Sequence, residues 1–140
     1  MTPVKPRHRL FIATVLFLLP LLACGFGGES EPAAPPAPTT APLQAVQDAI
    51  MAANQQNYDA ANQLLDISAL AEAAEAESVN EHWDWFTSNQ RVASVDAREE
   101  ETRDDARLLF ITVQNDNYPT HQFGFWIRWQ GDRWVAFEEE

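Results

Sequence analysis

At 140 residues, with 21 acidic side chains against 9 Lys and Arg, the chain carries a formal charge of −12. That sign repels phosphate backbones and anionic headgroups and argues against nucleic acid as a partner. One cysteine cannot form an intramolecular disulfide, so a single small domain must be held by its core alone.

The chain opens on a basic segment, Lys5-Pro-Arg-His-Arg9, followed by an apolar run from Leu10 to Leu22. This is the layout of a secretory signal, and the run falls short of the roughly 20 residues a transmembrane helix needs. The run ends in Leu21-Leu22-Ala23-Cys24, which resembles the bacterial lipobox. The resemblance implies that residues 1–23 are a leader and that Cys24 becomes the first mature residue. It also implies that Cys24 carries a diacylglyceryl thioether and an N-acyl chain such as palmitate. Two or more chains anchor a protein stably where one is marginal. The expected location is then the cell envelope, on the extracytoplasmic side of a membrane, at the outer membrane or cell surface. Lys5, Arg7 and Arg9 would leave with the leader, which takes the charge from −12 to −15.

Residues 24–42 are rich first in glycine and then in proline and cannot build a core. They read as a tether, reaching about 55 Å at roughly 3.1 Å per residue when extended. The domain occupies residues 43–140. Pro42 suits a first helical turn, and Leu43, Val46, Ile50 and Ala53 recur at helical spacing after it. A second helix is expected over 58–65, burying Tyr58, Ala61, Leu64 and Leu65, and a third over 67–77 with Leu70 inward. Ser78-Val-Asn-Glu81 matches a capping box and opens a fourth helix with Val79, Trp83 and Phe86 on one face.

At Gln90 the apolar period shortens from helical to alternating. Strands are expected over 91–103, 106–114, 123–129 and 134–137, with the acidic cluster from Glu99 to Asp105 as an exposed strand end and turn. Asn115–Pro119 reads as a turn and Gln130–Arg133 as a tight hairpin that sets Trp129 opposite Trp134. Glu138–Glu140 reads as a solvated tail. Helices first and consecutive strands after give an α+β class: N-terminal helices on one face of a curved antiparallel sheet of about four strands.

Asn57-Tyr-Asp-Ala-Ala61 at the second helix and Gly131-Asp-Arg-Trp134 before the last strand resemble small lipoproteins with a nuclear-transport-factor-like, or cystatin-like, domain. The resemblance implies that fold over residues 43–140, with a sheet one strand short of the fuller members. It does not choose among the isomerases, dehydratases and binding modules that share the fold.

Chemistry is sparse in the sequence. His82 and Asp84 flank Trp83 and could form an acid–base pair, but residues two apart on a helix point in different directions. The histidines His8, His82 and His121 have no metal-ligand spacing, and the acidic cluster lacks the alternating oxygens and turning glycine of a calcium loop. No metal and no cofactor is expected. The aromatic set is the promising feature: Trp83, Trp85, Trp126, Trp129 and Trp134 are candidates for binding a ligand or partner. Trp126 alternates out of phase with Phe125 and Trp129, so its ring should be exposed or line a cleft. The expected function is a membrane-anchored, non-enzymatic binding module for an envelope protein or a small apolar ligand. The alternatives are an isomerase or hydratase using His82 in a cone-shaped pocket, and a structural accessory of an envelope complex.

Overall fold

Four helices precede most of the sheet in the computed structural model, which describes residues 37–117 and 119–140. The leader, Cys24 and the tether as far as residue 36 lie outside the described residues. Helix α1 (Pro42–Asn54) starts on the proline and buries Ala45, Val46, Ala49, Ile50 and Ala53. Its end is closed by a Schellman motif: Gln56 takes a left-handed φ of 60°, and the N–H groups of Gln56 and Asn57 donate to the carbonyls of Ala53 and Ala52. Helix α2 (Tyr58–Leu64) is capped by the Asn57 side chain, which accepts from the Ala60 N–H.

The end of the expected second helix gives way to a strand, and the expected third helix, 67–77, is shortened. Leu65 and Ile67 are both fully buried, a period of two, and Leu65–Asp66 forms strand β1. The Asp66 carboxylate accepts from the Ser68 N–H at 2.9 Å, turning the chain into the short helix α3 (Ser68–Ala73). Glu75, at φ 54°, closes α3 with a second Schellman motif four residues earlier than alanine content alone suggests. Helix α4 (Val79–Phe86) has Ser78 as its cap, accepting from the Glu81 N–H, while Glu81 reaches back to the Glu77 N–H instead of the Ser78 N–H.

The sheet has five strands in the order β1-β5-β4-β3-β2 and is open, with β2 (Val92–Arg103), β3 (Ala106–Asn115), β4 (His121–Gln130) and β5 (Arg133–Glu139) antiparallel. The expected sheet of about four antiparallel strands is therefore corrected: β1 pairs parallel with β5, Leu65 beside Trp134, and makes the sheet mixed. A two-residue strand inside a helical composition gives almost no periodic signal, and only its pairing reveals it. Trp129 and Trp134 face each other as expected, with centroids 5.5 Å apart, edge to face. Gly131 supplies the φ of 70° that the connecting turn requires.

One buried cluster draws Val46 and Ile50 from α1, Leu70 from α3, and Trp83 and Phe86 from α4 together with Leu109, Ile111, Phe125 and Ile127 of the sheet. Trp126 lies outside that cluster on the opposite sheet face, yet it is only 2% exposed. The Arg103 guanidinium covers its ring at 4.3 Å, while Arg98 covers Phe110 at 5.0 Å and Arg128 covers Phe137 at 4.8 Å. Such contacts contribute about 0.5–1 kcal/mol each where exposed. The expectation that Trp126 is exposed or lines a cleft is corrected: a strand-borne arginine roofs it. Among the described residues no helix is long and apolar enough to cross a membrane.

Candidate functional site

Where α4 meets β4 and β5, aromatic rings and carboxylates converge. Phe86 stacks on Phe123 at 4.4 Å, and the His82 ring meets Phe86 edge-on at 4.6 Å. Trp85 stacks along His82 at 5.7 Å and stands against His121 at 4.5 Å, so one indole touches both histidines. It remains 46% exposed, an unusual position for a tryptophan. Beside it opens a cleft of about 280 Å³, near the lower end for small-molecule sites, lined by Ala74, Glu75, Ala76, Glu81, His82, Trp85 and Glu139.

Two polar atoms here lack a partner among the described residues. Nε2 of His82 and Nε2 of His121 are buried without a hydrogen bond, and the His82 side chain is only 5% exposed. An unsatisfied buried nitrogen costs about 1–3 kcal/mol. Burial holds both imidazoles below their ordinary pKa, while the charge of Glu139 on both, and of Glu81 on His82, pulls them partly back. Both rings are therefore neutral at neutral pH.

The sign of the resulting pH dependence follows. The unfolded chain binds protons at about 6.5, above the folded values, so stability is complete above that pH and is lost as pH falls through the folded values. The urea midpoint should drop between pH 7.5 and 5.5, and a His82→Phe, His121→Phe double variant should flatten that drop. An unchanged slope in the double variant would show that these two rings do not set it.

The five tryptophans are not brought together. Trp83 is fully buried and donates its indole N–H to Asn62 at 2.8 Å, a core role. Trp129 and Trp134 sit at the far hairpin, where Trp134 donates to the Thr40 carbonyl at 3.0 Å beside a groove of only about 50 Å³. Trp126 lies under Arg103. Trp85 alone among them reaches the larger cleft.

His82 and Asp84 do not pair. Asp84 accepts from the Tyr58 hydroxyl at 2.6 Å and from the Gln90 amide, and the bond to Asp84 raises the Tyr58 pKa. The acidic cluster serves the β2–β3 hairpin: Glu99 accepts from Thr102 and Arg107, and Arg98 pairs with Glu100 at 2.6 Å. Among the described residues no set of three or more His, Cys, Asp or Glu is placed to hold a metal ion.

Two residues of this site lie outside the expected elements: His121 precedes the strand expected over 123–129, and Glu139 falls in the expected solvated tail. His121 precedes Phe123 by two and shares its face, a signal that was present in the sequence. Glu139 carried no such signal. The β4–β5 register shifts between Trp126 and Ile127, so Ala136 pairs with Ile127 while Glu139 pairs with Phe125. Strict alternation from Trp134 would have placed Glu138 there instead.

Among the described residues, the fold is an open α+β domain with an acidic, aromatic cleft. No family model, curated protein or solved structure matches the chain.

Proposed function

We propose that the protein is a cell-envelope lipoprotein, anchored through lipid on Cys24. A Pro-rich tether would display a cystatin-like domain whose helices cover one sheet face and which acts as a binding module and not an enzyme. The charged, apolar, small-residue and cysteine order of residues 5–24 supports the anchor. The observation that carries the binding role is the half-exposed Trp85 beside a cleft whose lining histidine, His82, has an unpartnered buried nitrogen. The acidic lining favours a small polar ligand over the apolar one expected from the aromatic count. Engagement of Asp84 by Tyr58 and Gln90 weighs against the isomerase or hydratase alternative, which would have to run on His82 with Glu81 or Glu139.

Native mass spectrometry of the protein extracted from its own membranes tests both parts. The mature chain beginning at Cys24 should carry the lipid mass, and Cys24→Ser should lose it and leave the membrane fraction. A bound small molecule should accompany the native chain and disappear in Trp85→Ala. Unchanged fractionation of Cys24→Ser would sink the anchor, and identical adduct-free spectra for native and Trp85→Ala would count against the cleft.

A further inference from the structure

The cleft selects by charge as well as by size. Glu75, Glu81 and Glu139 supply three carboxylates, and among the described residues no lysine or arginine lines it. An anion would meet all three. A purely apolar ligand would strip water from them and leave the His82 nitrogen without a partner, both costly. The Trp85 ring, 46% exposed and lining the cleft, can attract a cation through its π-system. A neutral imidazole whose Nε2 lacks a partner can accept a hydrogen bond, and a quaternary ammonium has no N–H to give it.

We propose that the cleft binds a primary alkylammonium group, its charge set among Glu81, Glu139 and the Trp85 face and an N–H donated to His82. This rests on the cleft being a ligand site. The group could arrive on a free amine or on a lysine side chain, and the two share the same chemistry. About 280 Å³ accommodates such a chain with a few waters.

The test titrates the detergent-solubilised mature lipidated chain at pH 7.5 with n-butylammonium, n-butanol, tetramethylammonium and Nα-acetyl-lysine amide, reading tryptophan fluorescence and the histidine imidazole resonances. Butylammonium should bind saturably, at least about tenfold more tightly than butanol. It should lose about fivefold in Trp85→Ala, the order expected of one ring face, and about tenfold in Glu139→Gln with near-ultraviolet circular dichroism unchanged. It should also shift the His82 resonances. Tighter binding of the blocked lysine would place the ammonium on a protein, and tighter binding of butylammonium would place it on a free amine; either upholds the proposal. Tetramethylammonium binding as well as butylammonium would overturn the donated N–H and with it the primary-ammonium assignment. Butanol binding equally well would overturn the charge selection while leaving the ligand site standing. Saturable binding of none of the four would overturn both.

Discussion

Phe86→Ala is expected to destabilise the domain by about 3–5 kcal/mol, the range for truncating a fully buried phenylalanine. The side chain is 0% exposed and touches five other rings: His82, Trp83, Trp85, Phe123 and Phe125 at centroid distances from 4.4 to 5.8 Å. Two of these partners lie on β4 and three on α4, so the ring is where the helix is fixed to the sheet. A cavity at this point cannot close without moving α4 as a whole. With a total stability of about 5–15 kcal/mol for a domain of this size, the loss is a large fraction. Phe86→Leu, which keeps much of the volume, should cost about 1.5 kcal/mol or less. Urea unfolding of both variants measures the difference. Equal midpoints for Phe86→Ala and the native chain would mean that α4 is held elsewhere. The same cavity would loosen the support of Trp85 and His82, so a folded Phe86→Ala at low temperature should also bind cleft ligands more weakly.

Asp84→Ala is the second large effect, at about 2–3 kcal/mol. The carboxylate accepts from two half-buried donors, the Tyr58 hydroxyl and the Gln90 amide, and bonds to charged acceptors contribute about 1.5–3 kcal/mol each before discounting for solvent. Its loss also bears on the backbone. Ser88, Asn89 and Gln90 take three successive left-handed φ values of 50°, 58° and 62°, a run that L-residues adopt only when the surroundings enforce it. Asp84 enforces it twice, through its side chain on Gln90 and through its carbonyl, which accepts from the Asn89 N–H at 2.7 Å. Ser88 is held from the sheet by Asn115 at 3.1 Å. Spectrophotometric titration gives an independent reading: the raised Tyr58 pKa should fall back towards its ordinary value of 10.0 in Asp84→Ala. A Tyr58 titration unchanged in the variant would show that Asp84 is not its partner in solution.

The sequence by itself determined the elements whose signal is periodic. Leu43 to Ala53 repeat every three to four residues, and a proline at the first turn starts that helix where it occurs. Ser78 caps α4, and the alternation through Leu109, Ile111 and Val113, then Phe123, Phe125 and Ile127, assigns the inner faces of β3 and β4. These are local properties, set by the 3.6-residue and two-residue repeats of the backbone. The tertiary structure decided the rest. Leu65–Asp66 becomes a strand only because Trp134 and Val135 are beside it. Trp126 is buried with Arg103, 23 residues away, folded back over its ring. The cleft depends most of all on distant pairing. Glu139 comes to the His82 side of the sheet because a register shift at Trp126 displaces the β5 alternation by one, and His121 and Trp85 meet across elements 36 residues apart. A bulge costs and gains little locally, so no short window of sequence announces it; packing of the two strands against the helices selects it.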